Sequence, residues 1–214
     1  MNIKSLLFFL FLIAAVSVKA QERQPGCYYD TAGVKHPAYI QITTMDNGAR
    51  YGSSKIIGSE VFKIAIDAKA RPQEMYAFDV KAVVAGLDSF VVKKLFRTNR
   101  KGIVKRDSSG NPYQFAEFYK VELDHTEMKI YSKEKAGNNN FMNYVDYYYG
   151  TSVNNMEWLT NDNFIEAMSK IMKDSPDLVA KIQSEKFKLR KINKLIEAYK
   201  TEKGIPFSKI NTEY

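Results

Sequence analysis

Ser132-Lys133-Glu134-Lys135 sets a serine three residues ahead of a lysine, the pairing by which penicillin-binding enzymes activate a serine nucleophile. That chemistry needs a helix start to present both groups together. Here the four residues close a strand pattern, and the companion motifs are absent. The chain also lacks a Gly-x-Ser-x-Gly elbow, a His-Glu-x-x-His pair, a phosphate-binding loop and a dinucleotide fingerprint. Its two histidines, His36 and His125, fall near turns. As metal ligands they would have to meet a carboxylate or a thiolate in space. Asp124 adjoins His125, but neighbouring strand residues point to opposite faces. Both histidines therefore read as solvated loop residues. Asp107-x-Ser109-x-Asn111 begins like a calcium loop, yet lacks the later glycine and the terminal glutamate, and reads as a plain turn. No metal and no cofactor is expected.

Three features remain for function. Glu117 interrupts the otherwise apolar face Tyr113, Phe115, Tyr119, Val121 and Leu123. Facing a second acid in a deep pocket, it could take part in paired-carboxylate hydrolysis. Reaching a lysine or arginine, it would be an ion-pair partner. The second feature is Lys93, Lys94, Arg97, Arg100, Lys101, Lys105 and Arg106, a run with few acids between them. Such a cluster could hold phosphates or anionic sugars. Its plainer explanation is gatekeeping charge on a strand edge. The third is the tyrosine set. Tyr144 and Tyr148 share a face with Asp146, and Tyr147 and Tyr149 share the other with Val145. One face belongs to the core; the other could be a platform for sugar rings or a partner protein, since tyrosine joins apolar area to a polar tip. Cross-strand packing accounts for the same rings more simply.

The elements that must carry these residues are mostly strands. Tyr113 to Lys133 is the strongest signal, a hairpin in which Leu123 pairs with Met128 and Val121 with Ile130 around a loop from Asp124 to Glu127. Before it come Cys27-Tyr28-Tyr29 with a turn at Asp30 to Gly33, and then a strand that starts at His36-Pro37 and runs through Tyr39 to Thr43. A turn at Asp46-Asn47-Gly48 leads to a weak strand from Arg50 to Ile57. Val61 to Asp67 follows, with Phe62, Ile64 and Ile66 inward. Ala70 to Glu74 reads as a loop. Tyr76 to Ala85 and Ser89 to Phe96 are strands joined at Gly86-Leu87-Asp88. Arg97 to Lys105 is a polar loop, and Phe141 to Thr151, beyond the loop Gly137 to Asn140, is the last strand.

The period then becomes helical: Phe164, Ile165, Met168, Ile171 and Met172, then Leu178, Val179 and Ile182, then Phe187, Ile192, Leu195, Ile196 and Tyr199. Ser175-Pro176-Asp177 is a helix start with serine as cap. Whether Pro176 to Lys203 is one helix or two stays open. This tail is basic and amphipathic, which suits a membrane surface, but its apolar stripe suffices to dock on the sheet, and docking is the reading adopted. No internal repeat is evident. Strands first and helices after predict an α+β fold: an antiparallel sheet or open barrel over roughly 27–151, with C-terminal helices packed on it.

Residues 1–20 read as a signal peptide: Lys4, the apolar run Leu6 to Val16, and the exit Val18-Lys19-Ala20. The run is shorter than the roughly 20 residues that span a bilayer, and no later stretch is apolar enough to cross one. Residues 21–204 then form a single domain, β-rich over 27–151 and helical over 160–204, with a loosely ordered tail at 205–214. The single cysteine, Cys27, excludes an intramolecular disulfide and is expected to be buried. The formal charge is +8. Without Lys4 and Lys19 there remain 30 basic and 24 acidic residues, a charge of +6. In an exported chain the partners within reach of that balance are anionic glycan, lipopolysaccharide, lipid headgroups or an envelope protein rather than nucleic acid, while solubility alone is the plainer explanation of the charge.

The order of these pieces resembles a group of secreted proteins of the Bacteroidota. The likeness lies in the signal peptide, Tyr28-Tyr29-Asp30-Thr31-Ala32-Gly33, Phe78-Asp79-Val80-Lys81-Ala82-Val83, Ser89-Phe90-Val91-Val92, the basic loop, the tyrosine-rich strands and the helical C-terminus. It covers most of the mature chain. It implies a Gram-negative envelope or secreted setting, periplasmic or extracellular, and transfers no catalytic or binding residue. The sequence therefore leads to an exported, non-enzymatic protein that binds a partner or an anionic surface. A hydrolase using carboxylates in a sheet cavity is the second reading.

Overall fold

The computed structural model describes residues 23–41, 61–124, 127–135 and 144–205. The expected signal peptide, the Asp46-Asn47-Gly48 turn, the Arg50 to Ile57 strand, His125, the Gly137 to Asn140 loop and the tail after Ile205 lie outside the described residues.

Ten strands form one open antiparallel sheet. They are β1 (Gln24–Asp30), β2 (Lys35–Gln41), β3 (Val61–Ala65), β4 (Gln73–Tyr76) and β5 (Val80–Ala85), then β6 (Asp88–Phe96), β7 (Gln114–Asp124), β8 (Lys129–Lys135), β9 (Tyr144–Ser152) and β10 (Asn155–Leu159). Their order across the sheet is β10-β9-β8-β7-β6-β5-β1-β2-β3-β4. Three helices follow: α1 (Phe164–Ile171), α2 (Pro176–Gln183) and α3 (Ile192–Lys203). Antiparallel strands followed by C-terminal helices is the order the sequence led us to expect.

Ten strands with apolar residues on both faces cannot lie flat in water, and the sheet coils. Phe62 on β3 meets Phe118 on β7 edge to face, with ring centroids 5.5 Å apart. Five steps of strand order separate β3 from β7, about 24 Å in a flat sheet at ~4.8 Å per strand. The contact therefore needs one half of the sheet to curl over its own inner face. Inside the curl lie Ile40, Phe62, Ala77, Val83, Ala116 and Phe118. The inner face of the other half is covered by the helices, which bury Phe164, Met168, Ile171, Leu178, Ile182 and Leu195 against Leu123, Ile130 and Leu159. On the outer face, Cys27, Tyr29, Ala82, Val91, Tyr119 and Tyr131 form a third cluster, capped by Val153 and Met156 from the β9–β10 hairpin. Cys27 is buried there, as expected.

The central hairpin departs from the expected register. Leu123 pairs with Ile130 and Asp124 with Lys129, whereas Val121 pairs with Tyr131 and Lys120 with Ser132. The shift between Val121 and Leu123 is a bulge at Glu122. One extra residue reverses the alternation. Leu123 therefore joins the helix-covered core while Val121 packs with the outer cluster. Strict period-2 reading had placed both on one face.

Other expectations change locally. Gln73–Tyr76 is an edge strand paired with Val61–Ile64, not a loop; Pro72 lies just outside it, where its missing N–H costs nothing. Tyr76 to Ala85 is broken by a 3₁₀ turn at Ala77–Asp79. Ile66 is 88% exposed because β3 ends at Ala65, after which Asp67 Oδ1 accepts from the N–H groups of Lys69 and Ala70. Pro176 to Lys203 is two helices, and Ser175 makes no side-chain cap. Its buried hydroxyl donates instead to Glu202 on α3 at 2.5 Å.

Beside that bond, Asp174 Oδ1 accepts from the Tyr199 hydroxyl at 2.8 Å, and Lys203 Nζ lies 3.2 Å from Asp174 Oδ2. Burial alone would raise the Asp174 carboxyl, but the hydrogen bonds from Tyr199 and Lys203 outweigh it and hold it below its ordinary value. A depressed folded value means that the contribution is complete above the ordinary aspartate range near pH ~4 and is lost as pH falls through the lower folded value. Asp174→Asn should cost about 1 kcal/mol at neutral pH, a figure kept small because the carboxylate is partly solvated. In denaturation curves the difference from the wild type should shrink as pH falls below the ordinary aspartate range and vanish once the lowered folded value is passed. Phe62→Ala should cost about 3–5 kcal/mol in chemical denaturation, because Phe62 is fully buried at the closure of the curl.

Candidate functional site

Between β6 and β7 the chain makes two small hairpins. Asn99 N–H donates to Ile103 O (2.8 Å) and Gly102 N–H to Asn99 O (3.0 Å); Asp107 N–H donates to Asn111 O (2.8 Å) and Gly110 N–H to Asp107 O (3.0 Å). In each, the Asn or Asp Oδ1 accepts two further backbone bonds, from Lys101 and Ile103 in the first and from Ser109 and Asn111 in the second. Gly102 and Gly110 take φ of +76° and +82°, the left-handed conformation that closes a three-residue hairpin loop with a bulge. The Asp30–Val34 loop repeats the same bonds around Asp30.

The two hairpins meet the sheet in a three-way junction. Arg97 N–H donates to Tyr113 O, Tyr113 N–H to Lys105 O, and Lys105 N–H to Arg97 O, at 2.8 to 2.9 Å. Isolated bridges Thr98–Val104 and Arg106–Pro112 continue the two arms. The result is a cloverleaf built on an eight-residue repeat: Arg97, Lys105 and Tyr113 at the junction, Asn99 and Asp107 at the turns, Gly102 and Gly110 closing them. No repeat was evident from hydrophobic patterning because the shared residues are turn residues. The signal was Asn/Asp-x-x-Gly, present three times in the sequence.

This geometry divides the basic run. Arg97, Arg100, Lys101, Lys105 and Arg106 are all exposed on the cloverleaf. Arg106 is braced by a bond from its guanidinium to Gly110 O at 2.8 Å. Lys93 and Lys94 belong to β6 and point to opposite faces. Lys94 Nζ sits 4.2 Å from the centre of the Phe78 ring. No acid occurs between Arg97 and Arg106, and Asp107 spends one carboxylate oxygen on its own turn. Phe96 (53% exposed) directly precedes these cations in the chain and Ile103 (61%) lies within the run.

The outer face carries a different arrangement. Glu117 Oε2 accepts from the Tyr119 hydroxyl at 2.9 Å and lies 3.5 Å from Lys133 Nζ. Lys133 is only 7% exposed and also faces the Tyr119 ring. Glu117 is thus an ion-pair partner. Lys135 Nζ lies 2.5 Å from Asp146 Oδ2, and this hydrogen bond, opposed by burial, raises the Lys135 ammonium above its ordinary value. Tyr148 packs edge-on against Tyr119 with centroids 5.4 Å apart, and burial pushes its phenol up. Tyr144 is half exposed on the same face. Tyr147 and Tyr149 lie on the inner face against the helix-covered core. The outer seam therefore pairs its charges internally, in contrast to the cloverleaf.

The remaining candidates resolve into structure. Ser132 points inward and donates to Glu122 Oε1 at 2.6 Å, whereas Lys135 is on the outer face, so the Ser-x-x-Lys pair never meets. His36 is not a solvated loop residue: it lies in β2, 2.9 Å from Asp30 Oδ2 and stacked on Tyr28. The Asp107 segment is a turn. Among the described residues no group of three or more His, Cys, Asp or Glu could hold a metal ion. A cleft of about 610 Å³ opens beneath the β9–β10 turn, between Val153 and Tyr131. Lys81, Lys94 and Lys129 line it, and Lys129 is engaged by Asp124 at 2.9 Å. Among the described residues no helix is long and apolar enough to cross a membrane.

Comparison with protein-family models, with curated proteins and with solved structures gives no match to this chain. If Asn99 shapes the first hairpin, Asn99→Ala should speed amide exchange of Lys101 and Ile103 by roughly fivefold, the equivalent of about 1 kcal/mol of local stability. Asn99→Asp, which keeps the acceptor, should leave exchange near the wild-type rate.

Proposed function

We propose that the chain is an exported, non-enzymatic binding protein of a cell envelope, and that the cloverleaf is the surface by which it engages an anionic partner. The single observation that carries this reading is the arrangement of Arg97, Arg100, Lys101, Lys105 and Arg106. These five cations are exposed on two hairpins whose turns are fixed by their own side-chain bonds. A cation that serves only to keep a strand edge soluble needs no such scaffold. A rigid one loses less conformational freedom on binding. Guanidinium groups also suit phosphate and sulfate oxygens because they donate in a planar fork.

The carboxylate-hydrolase reading has less support. It rested on Glu117 facing another acid, and Glu117 is engaged by Lys133 and Tyr119. The proposed setting draws on the amino-terminal Lys4, Leu6–Val16 and Val18-Lys19-Ala20 pattern and on the resemblance to secreted Bacteroidota proteins. Anionic glycan, lipopolysaccharide and lipid headgroups share the chemistry that would be recognised.

Retention on immobilised heparin and on lipopolysaccharide tests the reading. Reversing Arg97, Arg100 and Lys101 to glutamate should weaken binding by more than about a hundredfold at low salt, the factor that losing three cations at ~1 kcal/mol each near an anionic surface already gives. Reversing three exposed lysines of the C-terminal helical region, Lys181 on α2, Lys194 on α3 and Lys186 between them, makes the same change in net charge and should weaken it far less. Equal loss in both variants would mean a nonspecific charge effect and would remove the cloverleaf from the account.

A further inference from the structure

The cloverleaf is more than basic. Phe96, the last residue of β6 and next to Arg97 in the chain, and Ile103, in the first hairpin between Lys101 and Lys105, are both exposed. Further exposed apolar side chains gather at the same end of the sheet. Phe96 pairs with Gln114 at the start of β7, and Tyr144 pairs with Lys135 at the end of β8. Asp30, which begins the loop to Val34, pairs with Val80 at the start of β5. Val34, Tyr144 and Val145 are all exposed there. At the other end, the exposed Leu87 belongs to a tight two-residue connection between β5 and β6.

We propose that this end docks on an anionic lipid surface. Phe96 and Ile103 enter the headgroup region, and Arg97, Arg100, Lys101, Lys105 and Arg106 pair with lipid phosphates around them. The inference rests on the proposed function and narrows its partner. A soluble anionic polymer rewards only the cations and leaves the two apolar side chains in water. A bilayer rewards both, because apolar groups next to basic ones gain burial at the boundary between headgroup and acyl chain. The turn fixes the backbone of Ile103 through two bonds with Asn99, two pairs beyond the Arg97–Lys105 pair of the same hairpin. The outer aromatic seam makes a poorer membrane surface, since its lysines are engaged by Glu117 and Asp146.

The test is sedimentation with vesicles of phosphatidylglycerol mixed with phosphatidylcholine, and with pure phosphatidylcholine, beside heparin retention. The wild type should bind the mixed vesicles and leave the pure ones. Phe96→Ser with Ile103→Ser should lower vesicle affinity on the order of tenfold while heparin retention stays unchanged. A second variant reads insertion directly. In a Trp158→Phe background, Phe96→Trp should show a blue-shifted emission with the mixed vesicles and none with heparin. Heparin retention without vesicle binding would overturn the lipid inference and leave the proposed function standing. Vesicle binding that survives the serine pair, without a blue shift, would also overturn it. Vesicle and heparin binding that both survive reversal of Arg97, Arg100 and Lys101 would overturn the two readings together.

Discussion

The fold depends on one extra residue in its longest strand. A sheet this wide must bury apolar side chains on both faces, and β7 serves both cores. The bulge at Glu122 lets Tyr119 and Val121 face outward and then turns Leu123 inward toward the helices. Glu122 itself is engaged by the Ser132 hydroxyl and lies 4.0 Å from Lys120. That polar joint lies between the curled half of the sheet and the helix-covered half. Without the bulge, one of the two apolar rows would meet water. Bulges increase local twist, and this one sits on β7, the strand that also carries Phe118 to its contact with Phe62.

Much of this was legible in the sequence. The alternation of Phe62 and Ile64, of Phe90 and Val92, and of the tyrosines at 147–149 marks strands without any long-range information. The switch to helical spacing after Leu159 marks where the sheet ends. The bulge was not legible, because Glu122 between Val121 and Leu123 fits simple alternation equally well. Only pairing with β8 and competition between the two cores decide it. The edge strand Gln73–Tyr76 was hidden for a related reason: Gln-Glu-Met-Tyr has little intrinsic strand character and is held by β3.

The candidate site was legible in part. The cation-rich segment is legible in the sequence, but Lys93 to Arg106 reads there as one patch, because position along a chain does not report which face of a strand a side chain leaves. The structure separates Lys93 and Lys94 from the rest. The cloverleaf is written in Asn99-x-x-Gly102 and Asp107-x-x-Gly110, a period carried by turn residues and not by apolar ones. Glu117 stood out in the sequence as an acid on an apolar face. It is explained by Lys133, a cation on the same outer face, whose relation to Glu117 depends on strand register.

The same physical logic runs from turn to surface. Asn99 and Asp107 bind their own backbones, and the turns become rigid. The three-way junction fixes the hairpins relative to β6 and β7, and the cations and exposed apolar residues of the segment are presented together. Amide hydrogen exchange with and without anionic phosphatidylglycerol vesicles tests this most directly. The account predicts slowed exchange concentrated in residues 96–106, with the helices and the outer aromatic seam unchanged. Protection concentrated instead on α1 to α3, or around Tyr144, Tyr148 and Trp158, would contradict it.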